Sequence, residues 1–101
     1  KLVPGNTMAV VDLAATPPRV LATLPTGLGP AGVSINRAGT LALVANRAEG
    51  TVSIFRIHGQ EVTPAGKIEI GPVASEVSHV AFLPDGRHAL GTRYGDDFIN
   101  V

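Results

Sequence analysis

Part of this chain repeats 47 residues further on, and this internal repeat limits the possible folds more than any other feature of the sequence. Segment 32–39 aligns with segment 79–86, and the register continues without a gap to the last residue. A second internal similarity aligns segment 6–13 with segment 50–57 at an offset of 44 residues. Periods of about 20 to 50 residues indicate an architecture that stacks one supersecondary unit several times.

Each repeat divides into short apolar segments that predict β-strands. Turns that contain glycine separate them, among them segments 37–39 and 84–86, where a glycine supplies the positive φ of a tight turn. The predicted strands are 7–13, 19–25, 31–36, 40–46, 51–57, 62–70, 78–83, 87–93 and 97–101. Repeats of about 40 to 50 residues with four strands each are typical of the blades of a β-propeller.

Some of these strands are apolar on both faces, most clearly 41–45 and 8–11. A sheet with one face in water alternates apolar and polar residues, so we expect both faces of these strands to be covered. Propeller blades meet this condition because each packs against two neighbours. Periodicity alone also permits a helix over 41–45, but the nearby β-branched residues and glycines favour a strand. Pro64 falls inside the strand 62–70 and predicts an edge position for it.

The composition excludes several classes of protein. Hydrophobic residues make up 45% of the 101 residues and charged residues 16%, a balance typical of a folded chain. The net charge of zero gives no basic excess for binding nucleic acid. The absence of cysteine rules out a disulfide framework and a thiolate metal site. A membrane-spanning helix needs about 20 consecutive apolar residues, and no apolar run in this sequence is that long. No sequence motif for binding a metal or a cofactor is present.

Three segments together, 30–35, 41–46 and 50–54, resemble one repeat of the YVTN family, with its strand ending in Val-Ala-Asn and its Gly-Thr-Val-Ser strand. Segment 78–86 is similar to the form found in lactonase-like seven-bladed β-propellers. The resemblance implies an all-β fold of four-stranded antiparallel meanders. Its expected parts are the end of one blade in residues 1–25, a full blade in 26–72 and most of the next blade in 73–101.

Alternate connections of an antiparallel meander lie at opposite edges of the sheet, which assigns the polar residues to edges. His79 and Arg93 are expected at one edge, whereas His58 and His88 fall at the other. Because a strand of five or six residues spans about 17–20 Å, the three histidines are not expected to share a metal ion. The candidate binding residues at the edge of His79 are Asn46, Arg47, Glu49, Tyr94, Asp96 and Asp97.

The resemblance to lactonase-like propellers makes His79 and Arg93 the candidate catalytic residues. His79 would serve as an acid or base, or bind an anion when protonated. Arg93 takes the place of Asn46 in the preceding repeat and, with His79 and the pair Asp96–Asp97, would grip a carboxylate or phosphate. The alternatives are a hydrogen bond from His79 to a neighbouring blade and a surface ion pair at Arg93. The aspartate pair would also suit calcium, although its spacing is not that of an EF-hand.

Two functions of different classes stay open on this reasoning. One is a binding or scaffold module that holds a small molecule or a protein at its loop-bearing edge, without a cofactor. The alternative is part of a hydrolase or cycloisomerase for lactones, with its site at the central channel. The resemblance also favours a periplasmic or secreted protein. Nine predicted strands are fewer than the about sixteen of a four-bladed propeller, so this chain is expected to form an incomplete propeller. We expect the remaining blades in the same protein or in another chain.

Overall fold

The computed structural model describes residues 5–95 and 98–100, which form an all-β structure. Its strands are β1 (Thr7–Asp12), β2 (Arg19–Pro25), β3 (Pro30–Ile35), β4 (Leu41–Asn46), β5 (Thr51–His58), β6 (Glu61–Glu69), β7 (Val77–Phe82), β8 (Ala89–Arg93) and β9 (Phe98–Asn100). The only helix among the described residues is the single 3-10 turn Val73–Ser75, and none there is long and apolar enough to cross a membrane. The all-β prediction is confirmed, and the helix considered over 41–45 is a strand.

The strands form three antiparallel sheets in chain order. The first sheet contains β1 and β2, the second contains β3 to β6, and the third contains β7 to β9. Within each sheet, strands that are consecutive in the sequence are neighbours. Pro64 lies in β6, the outermost strand of the second sheet, next to a shift of register between Ile54 and Phe55. The edge position predicted from this proline is confirmed.

The repeat of 47 residues is present in the backbone as well as in the sequence. The Gly39 amide donates to the carbonyl of Asn36 at 3.0 Å, and the Gly86 amide donates to the carbonyl of Leu83 at the same distance. The two glycines have φ angles of 72° and 71°. Residues one repeat apart therefore build the same turn.

The second sheet carries the core on both of its faces. One face buries a cluster of Leu43, Ala45 and Val52 with Val77 of the third sheet. The other face buries a cluster of Ala42, Val44 and Phe55, which packs against Met8 and Leu24 of the first sheet. Because successive side chains of a strand point to opposite faces, the first and third sheets lie on opposite sides of the second. The prediction that both faces of 41–45 are covered is confirmed.

The first sheet does not meet the same prediction. In β1, half-buried residues alternate with exposed ones, and Val11 is 47% exposed. Met8 lies on the face that packs against the second sheet. No other part of the described chain covers the opposite face, so the apolar residues there are open.

Candidate functional site

Four connections meet at one edge of the three sheets, and backbone hydrogen bonds join them into a chain. We call this edge the linked edge; its connections are 26–29, 47–50, 70–76 and 94–95. The amide of Arg47 donates to the carbonyl of Gly29 at 2.8 Å, and the amide of Gly95 donates to the carbonyl of Ser75 at 2.8 Å. Main-chain bonds of this kind hold loops in place without relying on their side chains.

Gly50 closes the middle of this chain of bonds. Its carbonyl accepts from the amide of Ile70 at 3.0 Å and from the amide of Gly71 at 3.2 Å. Its φ is 78°, and a Cβ there would collide with the carbonyl oxygens of Gly71 and Pro72. Only glycine therefore fits between the second and third connections of the linked edge.

The turns between β1 and β2, between β3 and β4, between β5 and β6 and between β7 and β8 lie at the opposite edge, which we call the hairpin edge. His58 ends β5 there, and His88 follows the turn between β7 and β8, with its Nδ1 2.6 Å from Oδ2 of Asp85. His79 lies at the other end of β7, near the linked edge. The histidines thus lie toward the two edges predicted from the alternation of the connections along the meander. In the part of the chain described, no group of three or more His, Cys, Asp or Glu residues is arranged to hold a metal ion.

Arg47, Glu76 and Tyr94 form an exposed group at the linked edge, which we call the edge cluster. Nε and Nη2 of Arg47 both donate to Oε1 of Glu76, at 3.1 and 2.9 Å. The same guanidinium lies 5.7 Å from the centroid of the Tyr94 ring. Tyr94 is 70% exposed, and the side chains of the ion pair are 50% and 41% exposed. Exposed ion pairs add little to stability, but arginine and tyrosine are the residues that most often anchor a partner.

Glu76 has a backbone conformation that is costly for its residue type. Its φ is 50°, and it is the one residue other than glycine with a positive φ in the described chain. In the preceding repeat, Gly29 holds the same position with a φ of 65°. The carbonyl of Gly29 accepts from Arg47, and the carbonyl of Glu76 accepts in the same way from Tyr94 at 3.2 Å. Glu76 was not among the residues predicted from sequence, and its alignment with the turn glycine Gly29 is the signal that could have found it.

An open cleft of about 540 Å³ adjoins the edge cluster. Its walls consist of Gly29, Pro30, Ala31, Arg47, Ala48, Val73 and Glu76. Val73 is 63% exposed and Leu28 is 42% exposed. The linked edge therefore sets exposed apolar side chains beside a charged pair and an aromatic ring, as protein-binding surfaces do.

Asn46 and Glu49, two of the predicted binding residues, belong to the framework beneath this surface. The Thr51 hydroxyl donates to Oε1 of Glu49 at 2.7 Å. Because a hydroxyl has one hydrogen, Thr51 must accept from Nδ2 of Asn46, which lies 3.0 Å away. The same nitrogen donates to the Ser53 hydroxyl at 2.9 Å. Asn46 is 0% exposed and lies beneath the surface, and its role as a binding residue stays a prediction.

Glu49 connects three segments of the linked edge through its carboxylate. Its Oε1 lies 2.8 Å from Nζ of Lys67 in β6, and its Oε2 accepts from the amide of Leu28 at 3.3 Å. The hydrogen bond from Lys67, followed by that from Thr51, lowers the pKa of Glu49 below its ordinary value. The carboxylate thus ties β6 and the connection 26–29 to the start of β5.

His79 and Arg93 have different partners across β7 and β8. In the register of β7 on β8, Val77 lies opposite Arg93, and His79 lies opposite Thr92. Val77 is fully buried against the second sheet, and a Cβ added to Gly71 would lie 3.0 Å from Cζ of Arg93. His79 is exposed, and its Nδ1 lies 3.6 Å from the position that a Cβ on Gly32 of β3 would take.

Asp96 and Asp97 lie outside the described residues, so their suggested roles in holding an anion or calcium stay predictions. No protein-family model matches this chain, and no curated protein matches it.

Proposed function

We propose that this chain is a run of β-propeller blades that acts as a binding or scaffold module, with a partner held at the linked edge. Three consecutive antiparallel sheets support the proposal, because the middle one buries both faces against its neighbours. Stacked repeats of this kind depend on adjacent repeats for their stability. Propellers expose their connecting loops at the two ends of the ring, where partners have access to them.

The observation that carries the binding role is the exposure of the edge cluster on a hydrogen-bonded frame. Arg47 is held between the carboxylate of Glu76 and the ring of Tyr94 before any partner arrives. A side chain that is already ordered loses less conformational entropy on binding. The exposed Val73 beside it supplies apolar area. Such a surface suits a protein or peptide segment that carries both polar and apolar groups.

The alternative, lactone hydrolysis, gains no support from this geometry. Acid–base or anion-binding chemistry by His79 and Arg93 together needs both side chains within reach of one substrate. In the register of β7 on β8, His79 lies opposite Thr92 and Arg93 lies opposite Val77, so the two residues are not a cross-strand pair. We therefore favour the binding role.

The test is binding after substitution of the edge cluster. Proteins retained by the immobilised native protein would be identified, and their affinities measured by calorimetry for the native protein, Arg47→Ala and Tyr94→Ala. Each substitution is expected to weaken binding by about tenfold or more, the effect of losing an anchor residue.

Arg37→Ala, in a turn of the hairpin edge, is the matched control and should bind like the native protein. Circular dichroism would establish that all variants keep their strands. Equal affinity of Arg47→Ala, Tyr94→Ala and the native protein would refute a partner at the linked edge.

A further inference from the structure

The ion pair of the edge cluster leaves hydrogen-bonding groups of both kinds unused. Nε and Nη2 of Arg47 both donate to a single atom, Oε1 of Glu76, at 3.1 and 2.9 Å. Within the described residues, Nη1 of Arg47 and Oε2 of Glu76 take part in no hydrogen bond. Because a guanidinium only donates and a carboxylate only accepts, the exposed pair offers a donor and an acceptor side by side to a ligand.

The walls of the adjoining cleft of about 540 Å³ supply no other charged group. Apart from the ion pair, the cleft is lined by small or apolar residues, namely Gly29, Pro30, Ala31, Ala48 and Val73. The amides of Arg47 and Ala48 already donate to the carbonyls of the connection 26–29, at 2.8 and 3.2 Å. A ligand in this cleft therefore meets Arg47 and Glu76 as its charged partners.

Val73 gives one wall of the cleft an apolar side chain on a hydrogen-bonded turn. It is 63% exposed and begins the 3-10 turn Val73–Ser75. The amide and the hydroxyl of Ser75 both donate to the carbonyl of Pro72, at 2.9 and 2.6 Å. An apolar group of a ligand can therefore pack on Val73 while a polar group of the same ligand meets the ion pair.

We propose that the linked edge selects a peptide segment in which an uncharged carboxamide side chain, that of asparagine or glutamine, lies next to an apolar residue. The carboxamide N–H group donates to Oε2 of Glu76, and the carboxamide oxygen accepts from Nη1 of Arg47. The neighbouring apolar residue packs on Val73. This inference rests on the binding role proposed above and names the chemistry of the partner.

Charge complementarity favours a carboxamide over a charged side chain. A ligand carboxylate that accepts from Arg47 lies beside the carboxylate of Glu76, and a ligand ammonium that donates to Glu76 lies beside the guanidinium. Like charges that are brought together at an interface weaken binding. A carboxamide carries both a donor and an acceptor without net charge, so it satisfies both partners and repels neither.

Four capped tripeptides test the proposal, each with valine on both sides of one variable residue. Glutamine supplies the carboxamide, glutamate and lysine supply the two charges, and methionine is an uncharged chain of similar length without an N–H group. Dissociation constants would be measured by NMR from the ring signals of Tyr94, the single tyrosine of the chain. We expect the glutamine peptide to bind about tenfold more tightly than the other three, the effect of one unmatched polar group.

Two substitutions should change the preference in opposite directions. Glu76→Gln removes the carboxylate and leaves the guanidinium, so the glutamate peptide should gain about tenfold relative to the glutamine peptide. Arg47→Gln removes the guanidinium and leaves the carboxylate, so the lysine peptide should gain in the same way. Residues that only hold the loops in place would weaken all four peptides alike when substituted.

Glu61→Gln and Arg37→Gln are the matched controls, because they remove the same charges at exposed positions of the hairpin edge. Both variants should keep the order of the four affinities that the native protein has. Circular dichroism would establish that every variant keeps its strands.

Equal affinity of the native protein for all four peptides, or a preference for any but the glutamine peptide, would overturn the inference. An unchanged order in Glu76→Gln, or no shift of the Tyr94 signals at millimolar peptide, would do the same. The calorimetric test of Arg47→Ala and Tyr94→Ala uses the protein partner and not these peptides. The inference and the proposed function can therefore fail separately.

Discussion

At the scale of single residues, Glu76 combines a strained backbone with an exposed ion pair. The left-handed conformation costs an L-residue about 1–2 kcal/mol. Its ion pair with Arg47 is about half exposed on both sides, and such pairs return about 0–1 kcal/mol. The preceding repeat avoids the cost with Gly29 at the same position. Stability therefore does not account for the glutamate, and its place beside Arg47 and Tyr94 agrees with the binding role that we propose for this surface.

We expect Glu76→Gly to be about 1 kcal/mol more stable than Glu76→Ala, because both remove the ion pair but only glycine tolerates the positive φ. Unfolding by urea would measure the difference. Arg47→Ala removes the same ion pair and leaves the backbone of Glu76 as it is, so it serves as the control. Equal stability of the glycine and alanine variants would contradict a strained residue at this position.

The lowered pKa of Glu49 predicts that acid loosens the linked edge. In the folded state the carboxylate binds a proton less readily than in the unfolded state, where its pKa is about 4.3. Its contribution to stability is therefore complete above that value and is lost as the pH falls through the lower pKa of the folded state. Glu49→Gln should flatten the dependence of the melting temperature on pH in this acidic range, as measured by circular dichroism. An unchanged dependence would mean that Lys67 and Thr51 do not hold the carboxylate in solution.

At the scale of strands, β3 and β7 approach each other at Gly32. A Cβ added there would lie 2.8 Å from the carbonyl oxygen of Ser78, which is closer than real Cβ atoms come. The equivalent residue of β7 is His79, which is exposed. Equivalent positions of the repeat therefore meet different neighbours, and the difference is set by which side of each strand has a sheet beside it.

This difference predicts opposite responses to alanine. Gly32→Ala should destabilise the fold by about 1–3 kcal/mol, the usual cost of overpacking, because backbone would have to move. His79→Ala should change stability by no more than about 0.5 kcal/mol, as surface substitutions do. Thermal unfolding of the two variants would measure this, and a His79→Ala protein as unstable as Gly32→Ala would show that His79 is packed.

Local signals made the strands predictable. The apolar segment 41–45 and the turn glycines Gly39 and Gly86 mark strand and turn without reference to the rest of the chain. Pro64 marked an edge strand because proline cannot donate a hydrogen bond to a neighbour. The open face of β1 was not predictable, because the residue pattern shows only that an apolar face is present and not whether a neighbour covers it.

The candidate site was predictable only in part. Arg47 and Tyr94 could be predicted as binding residues, because the edge at which a connection lies depends on strand order alone. Glu76 depends on the backbone after the turn Val73–Ser75, which no hydrophobic pattern reveals. The burial of Asn46 was not predictable, because a polar residue at a strand end has the same sequence pattern whether it faces solvent or the hydroxyl groups of its own sheet.

At the scale of the whole molecule, burial is greatest in β4 and β5 of the second sheet and decreases away from them. Ala42 to Asn46 in β4 are buried on both faces, whereas β2 and β6 are mostly exposed. Isolated repeats of a stacked architecture have this gradient, because each gains its stability from the contacts with adjacent repeats.

Hydrogen exchange should reproduce this gradient. We expect the slowest amides in β4 and β5 and the fastest in β2 and β6, where few neighbours protect them. A monomer with uniform, cooperative protection would contradict the propeller interpretation and favour a small closed barrel or sandwich.

The main-chain bonds of the linked edge have a consequence for how such a surface changes over evolution. Gly29 and Glu76 accept equivalent bonds, from Arg47 and Tyr94 respectively, although the side chains at both pairs of positions differ completely. The loop geometry therefore depends on backbone atoms and is compatible with different side chains. Duplication of one repeat would add another exposed loop with the same backbone geometry. Substitutions in that loop would then change what it binds without a change in its conformation.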